Sequence, residues 1–370
     1  MKSFVGKGKG SPAEAVEEAC QGLFFPSLVV FMTAYENLGE VAKAIHEKYP
    51  DIPTMGSTGI KIANGTFDTT SVFVMAFFQD AVVRCDVIEN ASETPLLAMR
   101  RFESQLDGIN PGESDTVCLE MCTSANISRC LVAMACFLQR YGVSLVGGAI
   151  FESLDFPPIH VALNGELYDD AMVYALIKNT TGKVKVYKNN IYLQQDNKLH
   201  FATKTKMSDM SILEFDNGLS PLEIYTSETN LDITTTKENI INNTFVAPFG
   251  RVVGDDIYII SLRDCSPPAP ELACFRAVNL NDCLCVLSLG DYEKIEDELR
   301  AKIHEDIPNP SLIFSVDCIF RFMLYSQKGY FDTYVRNMNE VARNHFGFVS
   351  GGEQINDQPV NQTAVIAVFE

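Results

Sequence analysis

The chain has 370 residues, with 29 lysines and arginines against 48 aspartates and glutamates, so its formal net charge is −19. A single hydrophobic core stops growing at about 250–300 residues, so this length predicts two domains. The excess of acid argues against a sequence-independent nucleic-acid binder and a protein docked on an anionic membrane, because both neutralise phosphates with a basic surface. The longest apolar runs, such as 72–78, are far shorter than the roughly 20 residues that cross a bilayer, and the N-terminus lacks the apolar core of a signal peptide. We therefore expect a cytoplasmic protein without membrane insertion.

Eleven cysteines are scattered through apolar segments. An odd number in a chain without an export signal is typical of reduced, buried thiols rather than of a disulfide framework. The closest pairs are Cys118 with Cys122 and Cys283 with Cys285, and neither has a histidine or a second cysteine pair at the spacing of a zinc finger. The sequence therefore predicts no disulfide and no metal site.

The first predicted helix begins at residues 11–14, which read SPAE. Ser11 and Glu14 form a capping box, and proline is favoured at the first helical position. The segment 6–11, rich in glycine and lysine, resembles a phosphate-binding loop, but the spacing of that motif fails and no adequate strand precedes it. We therefore interpret Ser11 as a helix cap rather than as part of a nucleotide site.

A strand, a helix, a small-residue turn and a return strand follow one another after this helix. The strand is 26–34, the helix contains 40–43, the turn is 56–59 and the return strand is 71–77. Such a sequence of elements predicts a compact unit of mixed sheet and helix.

The same order recurs at the end of the chain. Its strand is 310–318, its helix contains 340–343, its turn is 350–353 and its return strand is 363–369. Four elements in one order at both ends of a chain predict two related lobes.

A third, weaker copy lies between the other two. Its strand is 115–121, its helix is 127–141, its turn is 145–148 and its return strand is 160–163. The predicted fold class is therefore α/β, of the mixed α+β kind, with two pseudo-repeated lobes of mixed β-sheet and packed helices.

Three short strands at 184–203, separated by turn residues, follow the middle copy. They are predicted to form a meander that closes the first lobe. A new helix is predicted just after residue 220, so the predicted domains are 1–220 and 221–370.

Several short motifs also occur in a fixed order. Those of the first lobe are 26–31 (PSLVVF), 53–59 (PTMGSTG) and 146–148 (VGG). Those of the second lobe are 248–255 (PFGRVVGD), 274–276 (CFR), 318–321 (CIFR), 347–353 (GFVSGGE) and 361–363 (NQT). Together the motifs resemble the FIST family, the F-box and intracellular signal transduction proteins, nearly from end to end. The first lobe is similar to the N-terminal FIST domain and the second to the C-terminal one.

The resemblance implies a bacterial sensory module that binds a small ligand, such as an amino acid. It would pass its state to a partner, for example a histidine kinase or chemotaxis protein, or to a fused output domain. Some family members are haem-bearing nitric oxide sensors, and a eukaryotic relative is a ubiquitin-ligase adaptor. The sequence departs from the family at the first turn, where a Gly-Glu pair is usual but Gly59 is followed by Ile60. A carboxylate role is therefore expected only at Glu353.

Small residues occupy the same position in each repeated unit. They are Ser57, Thr58, Gly147, Gly148, Ser350, Gly351 and Gly352. Glycine lets a ligand approach the backbone, and free amide groups can hold a carboxylate or a phosphate. These residues are therefore candidate ligand contacts in one cleft between the lobes. The alternative, equally open, is that they form tight hairpin turns and nothing more.

Arg321 and Glu353 are the charged candidates. Arg321 follows a predicted buried strand, and a buried arginine needs a bidentate acceptor. A structural ion pair with Glu353 is favoured over a contact with a ligand carboxylate, although both are open. Asn361 offers amide hydrogen bonds to a polar ligand, or else closes the turn at 358–361.

Haem and catalysis are the remaining possibilities. His345, predicted on the apolar face of the C-terminal helix, and His160, beside the prolines at 157–158, are the candidate iron ligands, but no haem attachment motif is present. Cys318 lies next to Asp317 without a histidine nearby in the sequence, so no catalytic constellation is recognised and an enzyme is not predicted.

The sequence thus predicts an intracellular sensory domain that binds a small polar ligand, such as an amino acid, between two lobes. It is expected either to act alone or to be the sensory part of a longer receptor. Two alternatives stay open: a haem-binding nitric oxide sensor, and a protein-interaction module without a small ligand.

Overall fold

The computed structural model describes residues 1–124, 127–151, 159–194, 197–231, 233–265 and 271–370, and for 233–238 it describes only the backbone. These residues form two compact units. Unit 1 comprises 1–189, 298–359 and 364–370, and unit 2 comprises 190–297 and 360–363. Unit 1 contains both ends of the chain because the last strands pair within the same sheet as strands from the first half. The predicted domains 1–220 and 221–370 are continuous segments of the sequence, whereas each of these units combines separate segments. The domain boundary near residue 220 stays a prediction.

The helices in the described part of the chain are α1 (Pro12–Ala19), α2 (Leu38–Lys48), α3 (Met99–Gly108), α4 (Ser128–Leu138), α5 (Pro221–Thr229), α6 (Ile233–Thr244), α7 (Tyr292–Asp306), α8 (Ile319–Gln327) and α9 (Phe331–Val341). Helix α1 begins as predicted, since the backbone amide and hydroxyl of Ser11 donate to Glu14 Oε2 at 3.0 and 2.7 Å. None of the described helices has the length and apolarity to cross a bilayer.

The strands of the first half are β1 (Ser3–Gly8), β2 (Leu28–Thr33), β3 (Thr54–Thr58), β4 (Lys61–Ala63), β5 (Thr66–Asp68), β6 (Val72–Phe77), β7 (Ala81–Glu89), β8 (Thr116–Cys122), β9 (Ser144–Ile150), β10 (Val161–Leu163), β11 (Glu166–Tyr168), β12 (Ala171–Asn179) and β13 (Val184–Asn189). The remaining described strands are β14 (Tyr192–Gln194), β15 (His200–Lys206), β16 (Ser211–Phe215), β17 (Phe249–Val253), β18 (Asp256–Ile260), β19 (Leu262–Cys265), β20 (Leu272–Cys274), β21 (Cys283–Leu289), β22 (Leu312–Cys318), β23 (Asn344–Ile355), β24 (Gln358–Val360) and β25 (Ala364–Phe369).

Unit 1 contains two sheets. The first has the strand order β1-β6-β2-β3-β10-β11, and the main path of the second is β13-β25-β22-β23-β9-β8-β12-β7, with the β4–β5 hairpin attached to β23. Helices α1 and α2 bury Val16 and Ile45 in a cluster with Phe31 of β2. Helices α3 and α4 bury Phe102 and Met134 in a second cluster, against β8 and β9.

Unit 2 contains a third sheet, whose main path is β18-β17-β21-β15-β16-β20-β19, with β14 paired to β21. Its core packs Phe215, Tyr225 and Phe249 together. The predicted meander at 184–203 is wrong, because its strands do not pair with one another: β13 pairs with β25, whereas β14 and β15 pair with β21.

The repeated unit appears three times in unit 1. Each copy has a parallel strand pair joined through helix: β2–β3 through α2, β8–β9 through α4, and β22–β23 through α8 and α9. An antiparallel strand then pairs with the first strand of each copy, namely β6, β12 and β25. The predicted strand and return strand of the first and last copies are therefore confirmed, with helix after the first strand, but the predicted small-residue turns lie in strands β3, β9 and β23. The predicted return strand of the middle copy, at 160–163, was wrong. Strand β12 pairs with β8 as the return strand, whereas β10 pairs with β3 in the other sheet.

Three asparagines link the copies in a closed ring. Each has a positive φ of 42–55°. Each donates its backbone N–H to the carbonyl of a residue in another copy, and its Oδ1 accepts from the N–H of that same residue at 3.0–3.1 Å. The pairs are Asn64 with His345, Asn164 with Thr54, and Asn356 with Leu145. Asparagine tolerates this left-handed conformation better than most residues. Copy 1 therefore binds copy 3, copy 2 binds copy 1 and copy 3 binds copy 2, which makes unit 1 pseudo-threefold.

Candidate functional site

Most of the predicted ligand contacts lie on two neighbouring strands of unit 1. Gly147 and Gly148 are in β9, and Ser350–Glu353 are in β23, which pairs with β9 so that Gly148 lies opposite Glu353. We call these six residues the glycine junction. The prediction that they form turns was wrong, because they lie inside strands. Glycine is required there by close packing: a β-carbon at Gly148 would come within 2.8 Å of the β-carbon of Ser350.

A β-bulge interrupts the glycine junction. The register between β9 and β23 shifts between Ser350 and Glu353, which leaves Gly351 and Gly352 in the irregular stretch. Gly352 has a φ of 155°, and its amide donates to Ser350 Oγ at 3.3 Å. A β-carbon at Gly351 would lie 3.5 Å from Phe151, an ordinary contact. Bulges are frequent beside functional sites because they re-aim nearby groups.

Ser57 and Thr58 end strand β3 and are both buried. The Ser57 hydroxyl donates to the carbonyl of His160 at 2.6 Å. The next residue, Gly59, has a φ of 125°, and a β-carbon there would lie 3.2 Å from the carbonyl oxygen of Phe151. Since Phe151 also approaches Gly351, one residue from each copy lies at this point: Gly59, Phe151 and Gly351. That Ser57 and Thr58 meet the glycine junction in one ligand cleft stays a prediction.

Glu120 of β8 was missed by the sequence reading. It lies opposite Gly147 in the register of β8 and β9 and is fully buried. A β-carbon at Gly147 would lie 2.0 Å from Glu120 Oε1, so the glycine makes room for the carboxyl group. Neither Glu120 oxygen has a hydrogen-bond partner among the described residues. Burial raises the pKa of Glu120 to about 8, so the group is largely protonated at neutral pH. The Cys122 thiol lies near enough to oppose this rise, but its hydrogen is donated to the carbonyl of Ser124 at 3.2 Å and not to Glu120.

Gln354 of β23 lies on the opposite side of Gly147. Its Nε2 donates to the sulfur of Cys122 at 3.2 Å, and its Oε1 has no hydrogen-bond partner among the described residues. One sequence feature pointed to Glu120 and its neighbour Gln354: Glu120 is a single acidic residue in an otherwise apolar predicted strand. In the other two copies the position of Glu120, opposite an equivalent glycine, is taken by Phe31 and Ser315.

Arg321 lies in the first turn of α8, the helix that follows β22, and is fully buried. Its Nε lies 3.4 Å from Asp317, its Nη1 donates to Asn189 Oδ1 at 2.8 Å, and its guanidinium stacks near the rings of Tyr325 and Tyr334. The Tyr334 hydroxyl also donates to Asp317, at 2.8 Å. Arg321 therefore has a carboxylate partner within its own copy, and the proposed pair with Glu353 stays a prediction.

Asn361 belongs to unit 2, unlike the glycine junction, which belongs to unit 1. It is buried, and its Oδ1 has no hydrogen-bond partner within the described residues. Its neighbour Gln362 has a complete set of bonds: Oε1 accepts from the Tyr192 hydroxyl at 2.5 Å, and Nε2 donates to Ser261 Oγ at 2.7 Å. The role of Asn361 as a ligand contact stays a prediction.

The two candidate haem ligands do not present a free Nε2. His345 lies in strand β23, not on the predicted helix, because α9 ends at Val341 and Ala342 is extended. It is fully buried, its Nε2 is 2.9 Å from Ser315 Oγ, and burial lowers its pKa to about 4. His160 Nε2 lies 2.7 Å from Asp169. The prolines at 157–158 lie outside the described residues. The described surroundings of these histidines therefore do not fit a haem.

The cysteines and the acidic residues are the remaining potential metal ligands. All eleven cysteines are free thiols, most of them buried. Within the residues that the structure describes, no three histidine, cysteine or acidic side chains gather in a cluster that would hold a metal ion. Cys118 and Cys122 are instead part of the hydrophobic core under α3 and α4.

Two family models match the chain in consecutive segments. The FIST N domain matches residues 27–217, and the FIST C domain matches 221–356. The chain belongs to the FIST family. FIST domains are sensory domains of signal transduction and not catalytic ones. No curated protein matches the chain. Strand β9 lies in the FIST N segment and β23 in the FIST C segment, so the glycine junction is one of several places where strands of the two FIST segments pair.

Proposed function

We propose that this FIST protein is a cytoplasmic sensory domain that binds a small polar ligand at the glycine junction. The main support for this site is that both carboxyl oxygens of Glu120 are buried without hydrogen-bond partners among the described residues. Buried polar groups are costly to leave unsatisfied, so a site that keeps them is a candidate for completion by a ligand.

The chemistry around Gly147 favours a ligand with both donors and acceptors. A protonated Glu120 can donate one hydrogen bond, and Gln354 Oε1 can accept one. A ligand ammonium group would instead favour the ionised form of Glu120 and release its proton. An amino acid offers an ammonium and a carboxylate together, so amino acids are the first probes.

The position of the junction supports a signalling role. Because β9 and β23 belong to different FIST segments, a ligand held by both stabilises one arrangement of their pairing over another. A ligand shifts such an equilibrium only by its difference in affinity for the two states. The partner that reads this state is a bacterial signalling protein, such as a histidine kinase or chemotaxis protein, or a fused output domain.

Thermal-shift titration with amino acids and small carboxylates tests the site. A ligand at a hundredfold excess over its Kd stabilises the folded state by about 2.7 kcal/mol, which corresponds to a rise of about 5 °C in Tm. Glu120→Gln should reduce this shift for ligands that carry an amine. Gly351→Ala should fold, since its new β-carbon has room, but it should also reduce the shift by narrowing the junction.

Glu103→Gln is the matched control, because Glu103 is partly exposed and pairs with Arg140 at the surface. It should leave the ligand shift unchanged. If no probe raises Tm at millimolar concentration, the small-ligand function fails and a protein-interaction module becomes the better description. Equal shifts in all three variants would place the ligand elsewhere.

A further inference from the structure

The loop between α1 and β2 exposes two adjacent phenylalanines. Phe24 is 70% and Phe25 82% accessible to solvent. Aromatic side chains recover a large hydrophobic free energy when they are buried, so an adjacent exposed pair suggests a binding surface.

The backbone of this loop holds Phe25 in an unfavourable conformation. Its φ is 55°, in the left-handed region that aromatic residues rarely adopt, and it precedes Pro26, which favours extended backbone at the residue before it. A glycine would remove this strain. Strained residues persist where the surroundings over-determine them, often at ligand sites.

The two rings border a cavity of about 850 Å³, which we call the Phe24–Phe25 cavity. Its volume lies in the range of small-molecule sites, roughly 300–1,000 Å³. Tyr49 and Ile52 on one side and Val82 on another complete its apolar walls. The Tyr49 hydroxyl donates to the carbonyl of Leu23 at 3.1 Å, which fixes the tyrosine ring in place. The cavity therefore offers several flat apolar walls.

An arginine at the cavity can hold an anionic group. The charged residues of the cavity wall are Lys48, Arg84 and Asp51. Lys48 is engaged by Glu17 at 2.7 Å. Arg84 donates to the carbonyl of Val83 at 2.9 Å and forms no ion pair with the described residues, so its guanidinium can still hold a carboxylate.

We infer that the Phe24–Phe25 cavity binds a small aromatic carboxylate, with its ring against Phe24 and Phe25 and its carboxylate on Arg84. This site uses none of the residues of the glycine junction and does not depend on the function proposed there.

The chain contains no tryptophan, so an indole probe can be excited without interference from protein tryptophan. Indole-3-acetate and indole are the probes, because they share a ring and differ in the carboxylate. Fluorescence titration of the full chain should show tighter binding of indole-3-acetate. Arg84→Met should weaken its affinity by about tenfold to a hundredfold, since hydrogen bonds to charged groups are strong, and should leave indole unchanged.

Phe25→Gly separates a binding role from a structural one. It should weaken both probes by about tenfold while Tm stays the same or rises, because the backbone strain is relieved. Met210→Gly is the control, since Met210 has the same φ of 55° in unit 2 and should not affect binding. The proposal is overturned if neither probe binds at millimolar concentration, if indole binds as tightly as indole-3-acetate, or if Phe25→Gly lowers Tm or leaves both affinities unchanged.

Discussion

Glu120 in unit 1 and Gln362 in unit 2 are both fully buried, yet their hydrogen bonding differs. Gln362 bonds to Tyr192 and Ser261 through both ends of its amide. Glu120 has no partner for either oxygen among the described residues, and it lies over a glycine that makes room for it.

The difference separates two uses of buried polarity. A satisfied network such as that of Gln362 contributes to stability and defines one packing arrangement. An unsatisfied acid such as Glu120 costs stability, and a protein retains it where something else gains from it. Glu120 therefore marks the glycine junction as the place where a ligand would gain most. Three variants test this contrast between satisfied and unsatisfied polar groups, from the largest expected effect on stability to the smallest.

Removing the amide of Gln362 should cause the largest loss. Gln362→Met keeps the length of the side chain but leaves the bonds to Tyr192 and Ser261 unmade, so the free energy of unfolding should fall by about 3 kcal/mol. Urea denaturation measures this fall. A change below about 0.5 kcal/mol would show that the network is not structural and would remove the contrast with Glu120.

Glu120→Gln should instead raise the free energy of unfolding at pH 8. The pKa of Glu120 is raised from 4.5 to about 8 in the folded state, so the folded state binds more protons than the unfolded state between these values. The stability of the wild type should therefore fall as the pH rises from 4.5 to about 8. The variant lacks this loss and should be more stable at pH 8, by a difference on the order of 2 kcal/mol. Urea denaturation at pH 5 and pH 8 measures it, with Glu103→Gln as the flat control. A variant that loses stability at both pH values would contradict an unsatisfied acid.

His200 should give the smallest effect. Burial opposes its charged form, but hydrogen bonds to Asp216 and Glu228, each 2.9 Å, outweigh it and raise the pKa of His200 above 6.5. The charged histidine therefore stabilises unit 2 at low pH, and this contribution disappears as the pH rises through the folded-state pKa. His200→Gln should lose less than about 1 kcal/mol at pH 5.5 and little at pH 9, because the site is partly screened by solvent. Equal losses at both pH values would show that His200 acts through packing alone.

The order of elements in the repeated unit was predictable from local sequence. The runs at 26–34 and 310–318 are apolar, and their matching helices and returns made the repeat visible. The return strand of the middle copy was not predictable, because 160–163 and 171–179 both read as strands and only pairing distinguishes them. Strand β12 is the return strand because it pairs with β8 over seven residues.

The glycines of the glycine junction were selected from the sequence as turn residues, whereas the structure places them in strands. Glycine in a turn and glycine under a large side chain look alike in a sequence. Gly147 is small because Glu120 lies above it, and Gly148 because Ser350 lies beside it. His345 was misplaced for a similar reason, since the helical spacing of apolar residues continues past the point where the backbone becomes extended at Ala342.

The sequence by itself determined that the chain forms two parts, that it is acidic, that it belongs to its family and that it contains a repeat. These properties follow from length, composition and local sequence patterns. The tertiary structure alone decided that the copies close into a pseudo-threefold ring and that residues 298–359 join unit 1. It also decided that Glu120, Gly147 and Gln354 share one row across three strands. These facts depend on pairing between residues far apart in the chain, which no local pattern encodes.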